Sequence, residues 1–244
     1  ESGTVCADGN DVDKGGVAEY LAGKSPADRT VYSNIGPGGA LQYFTPANAS
    51  SGVGNLSGVL GVNNGEEAEL INWARGQDVH DEDSDGNTSE MRIDVFGDPL
   101  HSKPLVINYG GSVENQDLRV VVGTNAGFLH MFDDNDSTLT ESWSFIPESL
   151  YPNLDPLRDN LTNGAKVYGM DGSPVAYVKD PDGTVNAADG DKVWLFAGMR
   201  RGGNQYFAFD VTSPSSPSLK WTITGGSNEF PTLGQTWSQP IVGF

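Results

Sequence analysis

A repeated strand-and-turn unit constrains this chain more than any other feature. A serine–proline signal followed by small apolar residues occurs at His101-Ser-Lys-Pro104-Leu-Val, Gly172-Ser-Pro174-Val-Ala and Trp237-Ser-Gln-Pro240-Ile-Val. A second block follows the first two copies. One reads Leu118-Arg-Val-Val-Val122-Gly123, then Gly127, Phe128, Phe132-Asp133 and Trp143; the other reads Lys192-Val-Trp-Leu-Phe-Ala197-Gly198, then Gly202, Tyr206, Phe209-Asp210 and Trp221. Fixed-period self-similarity marks units that cannot bury both faces alone and must stack on their neighbours. Proline suits the start of an inner strand, where its missing N–H costs least. Gly123 and Gly198 permit close backbone approach or a positive φ. The Phe-Asp pair ends a third strand, with Asp free to cap the next turn, and the tryptophan of a fourth strand wedges between neighbouring sheets.

The unit is that of a propeller blade. The expected fold is therefore all-β: an incomplete β-propeller of four-stranded antiparallel blades, with one or two short helices near the N-terminal side. Blade units are expected at about 101–150 and 172–225. Partial blades are expected at about 29–45, from the Arg29–Ser33 and Gly38–Thr45 hairpin, and at 237–244. Residues 1–28 read as an N-terminal extension to a partial propeller domain over 29–244. Since propellers close with several blades, the expectation is a fragment, or a chain whose other blades come from elsewhere.

Between hairpin and first blade, Glu66 to Arg75 reads as a helix, capped by Asn64, with Glu66, Glu67 and Glu69 at its positive end and Gly76 at C′. Val17 to Gly23 reads as a short second helix, and the Ser-, Gly- and Asn-rich residues 46–64 as loop.

The chain has 244 residues, 33 acidic against 14 basic, and a formal net charge of −19. Such a surface repels phosphate backbones, which argues against nucleic-acid binding, and attracts cations such as calcium. The single cysteine, Cys6, allows no intrachain disulfide. No apolar run is long enough for a membrane span. The N-terminal residues lack signal-peptide features, so any export signal is expected to be removed or to lie upstream.

Several long stretches stand out: Ile71-Asn-Trp-Ala-Arg-Gly-Gln-Asp78, Gly97-Asp-Pro-Leu-His-Ser-Lys-Pro104, Val122-Gly-Thr-Asn-Ala-Gly-Phe-Leu-His-Met-Phe-Asp133, Ser144-Phe-Ile-Pro-Glu-Ser-Leu150, Tyr168-Gly-Met-Asp-Gly172, Tyr206-Phe-Ala-Phe-Asp-Val-Thr212 and Leu233-Gly-Gln-Thr-Trp-Ser-Gln-Pro240. With these stretches the chain resembles the C-terminal propeller of the PilC/PilY family of type IV pilus biogenesis factors. The resemblance runs in order over roughly residues 29–244. It implies a quinoprotein-like propeller on the surface of a Gram-negative cell, and a role in pilus assembly and adhesion. Pilus subunits (minor pilins) and a host or abiotic surface would then be its partners. Lys166 departs from the family, which often has histidine there. The family's calcium loop would follow Phe244, so that site transfers to no residue of this chain.

A local metal candidate stands apart from the resemblance. Asp81-Glu-Asp83-Ser-Asp85-Gly86-Asn87 alternates oxygen ligands around a glycine turn, like the first half of an EF-hand. That loop ends on a bidentate glutamate, and Arg92 stands in its place, so Glu90 or Asp94 would close the site by another geometry. The predicted calcium ligands are Asp81, Asp83, Asp85, Asn87 and Glu90; the plain alternative is a solvated acidic loop. Weaker candidates are Asp180-Pro-Asp182-Gly-Thr184-Val-Asn186 with Asp189 and Asp191, the turn of Asp133, Asp134 and Asp136, and Asp8, Asn10, Asp11 and Asp13. Gly23-Lys24-Ser25 lacks the first glycine and the preceding strand of a phosphate loop. His80, His101 and His130 have no metal-ligand spacing, and no catalytic set is visible.

The favoured function is thus a non-enzymatic pilus-associated propeller, modulated by calcium. The alternative is a quinone (PQQ)-dependent dehydrogenase-like propeller, since Ala208-Phe-Asp210-Val-Thr212 with Trp221 resembles its repeat. Alcohol-oxidising members commonly stack their cofactor on a vicinal disulfide, which one cysteine cannot supply. An intracellular repeat scaffold is a third reading, but it lacks the Gly-His and Trp-Asp signatures.

Overall fold

The computed structural model describes residues 16–92, 94–135, 138–160, 164, 166–227 and 229–243. Two antiparallel β-meanders carry the fold. The first comprises β3 (Leu105–Ser112), β4 (Asn115–Gly123), β5 (Leu129–Asn135) and β6 (Thr138–Phe145); the second comprises β7 (Val175–Lys179), β8 (Lys192–Gly198), β9 (Gln205–Asp210) and β10 (Ser218–Thr224). These are the two expected blade units. Pro104 and Pro174 sit immediately before β3 and β7, as their missing donors require.

The sheets stack face to face. Phe145 of β6 meets Phe207 and Phe209 of β9 at centroid distances of 5.2 and 5.0 Å, and Trp143 meets Phe209 at 6.1 Å. Trp143 is fully buried and donates from Nε1 to the Pro214 carbonyl at 2.8 Å. Tyr109 of β3 donates to the Val211 carbonyl at 2.6 Å. Each fully buried aromatic of this layer contributes about 1.5–3 kcal/mol by leaving water. Trp221 occupies the matching place on β10, but 41% of it is exposed. It packs beside Phe196 on the far face of the second sheet, next to the Tyr177–Trp194 pair. The inter-sheet wedge is therefore realised at Trp143 only; at Trp221 no described sheet lies over it.

Gly123 and Gly198 both serve close approach rather than positive φ. A Cβ on Gly123 would lie 2.0 Å from the Met170 carbonyl oxygen, and one on Gly198 would lie 2.7 Å from the Tyr206 ring. The Phe-Asp signal divides. Asp210 ends β9 and caps the turn by accepting from Thr212 N–H at 3.0 Å, whereas Asp133 lies inside β5 and pairs with Arg119.

The N-terminal hairpin differs from expectation. Its strands β1 (Val31–Ser33) and β2 (Gln42–Tyr43) do not found a blade of their own. Instead β1 runs parallel to β6, pairing Val31 with Ser144 and Tyr32 with Phe145, and the first sheet becomes six-stranded. Residues 237–243, expected to enter another blade strand, carry no described strand.

The helices are α1 (Gly16–Ala22), α2 (Pro46–Gly52), α3 (Leu56–Leu60), α4 (Glu67–Ala74) and α5 (Leu154–Arg158). The expected helices appear as α1 and α4, and Gly76 takes φ +109° after α4 as its C′ role demands. The N-cap of α4 is Glu66, not Asn64, whose side chain accepts from the Ser57 hydroxyl instead. The expected loop at 46–64 contains α2 and α3. Thr45 caps α2 by accepting from Asn48 N–H at 3.3 Å, Pro46 fits its first turn, and the buried Ala49, Leu56 and Leu60 hold both helices on the core. No described helix is long and apolar enough to cross a membrane.

A buried polar post fastens these N-terminal elements to the first sheet. Arg29 donates to both oxygens of Glu141 on β6, from Nε at 2.8 Å and Nη2 at 2.9 Å, and to the Arg75 carbonyl at 2.8 Å. His130 of β5 pairs with the same carboxylate through Nδ1 at 2.8 Å. Burial alone would raise the Glu141 carboxyl, but Arg29 and His130 outweigh it and hold the group ionised. Burial pushes His130 down against the opposing pull of Glu141, which keeps the imidazole neutral.

Candidate metal centre

The acidic loop follows α4 directly. Gln77 bridges to Met91, and Asp78 N–H donates to the Glu90 carbonyl at 2.9 Å, so the two ends of the loop are tied together. Between them the chain turns through left-handed residues: Asp81 at φ +52°, Ser84 at +62° and Gly86 at +88°. Only at Gly86 is this free of a Cβ penalty, which explains the glycine there.

The carboxylates organise their own turns. Asp81 Oδ1 accepts from Gly86 N–H at 2.9 Å, Asp83 Oδ1 from Asp85 N–H at 3.2 Å, and Asp85 Oδ1 from Asn87 N–H at 2.7 Å. Asn87 donates from Nδ2 to Glu90 Oε2 at 2.9 Å. Two sets of carboxylate oxygens converge, each within 4.8 Å of one another: Asp81, Asp83 and Asp85, and Asp78, Asp83 and Glu90. Asp83 belongs to both.

All five predicted ligands thus lie in one loop, with Asp83 as the hinge. Asp78 escaped the sequence reading. It is almost fully buried, and both of its carboxylate oxygens accept from Glu82 N–H, at 3.0 and 2.9 Å. The signal was present, because Asp78 opens the same acidic run. Arg92, in the place of the closing EF-hand glutamate, turns inward and stacks 4.3 Å over the Trp73 ring. Burial lowers its pKa to about 10.

The donor set is all oxygen, which fits a hard cation such as calcium. One buried oxygen, Glu90 Oε1, has no hydrogen-bond donor. Its desolvation and the neighbouring Asp85 and Asp83 push the Glu90 carboxyl up. A cation among these carboxylates would relieve that repulsion and satisfy the orphaned oxygen.

The other candidates fall differently. Asp180, Asp182 and Asp191 converge within 4.8 Å, while Asp189 is held apart by accepting from Asn186 Nδ2 at 2.7 Å. Asp133 is engaged by Arg119. Asp136, and Asp8, Asn10, Asp11, Asp13 and Cys6, lie outside the described residues. Lys24 stacks on Tyr20 and Ser25 caps a short turn, which are structural roles. His80 lies 3.5 Å from Glu69 on the surface; His101 and His130 each pair with a buried carboxylate.

Comparison with known proteins gives a consistent picture. Residues 96–236 match the family model described as the PilY1 beta-propeller domain. The type IV pilus biogenesis factor PilY1 of Pseudomonas aeruginosa strain PAO1 is 30% identical over 172 residues, covering 62% of this chain and 14% of that protein. A PilY1 homolog of Xylella fastidiosa strain Temecula1 is 31% identical over 204 residues, covering 72% of this chain and 15% of its own length. The crystal structure of the P. aeruginosa PilY1 C-terminal domain is 32% identical, covering 51% of this chain and 22% of that one, with a TM-score of 0.33. The chain therefore spans a small part of the curated relatives it matches.

Proposed function

The chain belongs to the PilY1 β-propeller family, and on that basis we propose that it is the propeller module of a type IV pilus biogenesis factor, displayed at the cell surface, binding rather than catalysing, and modulated by calcium. The observation that carries the pilus role is the family match over residues 96–236, which includes both four-stranded meanders, β3–β6 and β7–β10. The relatives named as type IV pilus biogenesis factors support it. Minor pilins and a host or abiotic surface are the proposed partners.

Calcium modulation rests on the 78–90 loop. Its two convergent carboxylate sets share Asp83, and the loop follows α4, whose Arg75 carbonyl holds the Arg29 post. A cation there would pin the loop between α4 and the first sheet. Asp78, Asp81, Asp83, Asp85, Asn87 and Glu90 would supply its oxygens.

Deleting the encoding gene in its native bacterium, then quantifying pilin sheared from the cell surface, tests the pilus role. Surface pilin is expected to fall and to return with the wild-type gene; undiminished piliation would contradict the proposal.

A further inference from the structure

The two meanders repeat one another down to an irregularity of register. β6 skips Ser142 against β5, where Met131 pairs with Trp143 and Phe132 with Glu141. β10 skips Lys220 against β9, where Ala208 pairs with Trp221 and Phe209 with Leu219. The shared skip aligns the two outer strands: Glu141 with Leu219, Trp143 with Trp221, Ser144 with Thr222, and Phe145 with Ile223. On the first sheet this outer edge is taken. β1 runs along it, and Ser144 N–H and Ile146 N–H donate to the Thr30 and Tyr32 carbonyls, both at 2.9 Å. Ser144, Phe145 and Ile146 are fully buried. On the second sheet β10 is outermost, and no described strand pairs with its outer side. Thr222, Ile223 and Thr224 keep part of their surface in solvent.

The open edge carries a groove and outward donors at the matching place. The groove measures about 350 Å³ and is lined by Thr222, Ile223, Thr224, Ser227, Glu229 and Phe230. Gly225 N–H turns inward to the Asn204 carbonyl at 2.9 Å. Backbone groups alternate sides along an antiparallel strand, so the N–H groups of Thr222 and Thr224 point outward, in the phase of Ser144 and Ile146. The period of two also puts Ile223 on the face of Trp221. With Phe230, 38% exposed, it gives the groove an apolar side. The latch differs between the sheets: Arg29 anchors β1 to Glu141, whereas Leu219 stands in that place on β10. Glu229 in the groove and the net charge of −19 disfavour an acidic occupant.

We propose that the outer edge of β10 receives an extended segment of a partner protein as an added parallel strand, uncharged where it passes Leu219 and apolar where it faces Ile223. An unpaired edge is a template for such addition, and the pairing copies that of β1 on β6. Thr222 N–H and Thr224 N–H donate to two carbonyls of the incoming strand, and the Thr222 carbonyl accepts the N–H between them. Ser227 Oγ already donates to the Thr224 carbonyl at 2.6 Å, so the ladder ends there. Main-chain bonds of this kind supply affinity, and the side chains at alternate positions supply selectivity.

The test tethers a surrogate strand to the full chain. Leu-Thr-Val-Tyr-Ser-Asn, a copy of residues 29–34 with Arg29→Leu, is fused after Phe244 through a long flexible Gly/Ser linker, which holds it at an effective concentration on the order of a millimolar. Amide hydrogen exchange at Thr222 and Thr224 is then followed by NMR. Both amides are expected to exchange freely in the untethered chain and at least about tenfold more slowly in the fusion. Tyr32→Asp, made in the tethered copy alone, should abolish the slowing. Unchanged exchange in the fusion overturns the proposal, as does equal slowing by the aspartate-bearing copy. Slow exchange in the dilute untethered chain would mean that the edge is already covered, and would overturn it too. Slowing that grows with concentration in the untethered chain would assign the edge to a second copy instead of a partner strand.

Discussion

Replacing Glu141 with Gln would remove the one negative charge from the buried post that joins the N-terminal hairpin and α4 to the first sheet. The Arg29 and Glu141 side chains are each 3% exposed. Two Arg29 nitrogens and His130 Nδ1 converge on the carboxylate at 2.8–2.9 Å. The amide keeps the shape but leaves the Arg29 guanidinium buried without a counter-charge. Breaking a buried pair from one side costs about 3–5 kcal/mol, against about 5–15 kcal/mol for whole-domain stability. Glu141→Gln should therefore lower the urea midpoint by a large fraction of its wild-type value. The assay is equilibrium urea unfolding at neutral pH, followed by tryptophan fluorescence. A loss under about 1 kcal/mol, the worth of an exposed pair, would refute the reasoning, because it would mean that Arg29 finds water.

The same post sets a pH dependence. Glu141 and His130 both have lowered pKa values in the folded state, so the unfolded chain binds their protons more tightly. Stability should be full above about pH 6.5, the unfolded value for histidine, and fall on acidification, further so through the carboxylate range near about 4.3; urea midpoints that are flat between neutrality and pH 5 would contradict this. Calcium should raise the melting temperature through mass action on the folded state, with the effect lost in Asp83→Ala/Asp85→Ala; a calorimetric titration without heat removes the site. Gly202→Ala should destabilise the fold by more than about 1 kcal/mol, because its Cβ would meet the Gly169 oxygen at 1.8 Å; a neutral effect in urea melts would show that the turn between β8 and β9 does not pack tightly on Gly169.

The parts of the fold that were legible in the sequence are those written in local chemistry. Pro104 and Pro174 marked strand starts, and Gly123 and Gly198 marked close approaches. What was not legible depends on residues far apart in the chain. Arg29 meets Glu141 from 112 residues away in the chain, and no local signal announces that β1 lies alongside β6. The 46–60 segment misled because its Ser, Gly and Asn content outweighed the Thr45-Pro46 helix start. In the acidic loop the alternating carboxylates were plain and Asp78 opened the same run, while the inward turn of Arg92 required knowing that Gln77, just after α4, pairs with Met91.

The stacking of two sister sheets underlies both the propeller assignment and the proposed role, and a double-mutant cycle between Trp143 and Phe209 tests it most directly. Trp143→Leu and Phe209→Leu, singly and together, should show a coupling energy of about 0.5–1.5 kcal/mol, as expected of an aromatic pair in contact across two sheets. Additivity within about 0.3 kcal/mol would place the two rings apart and contradict the stacked arrangement.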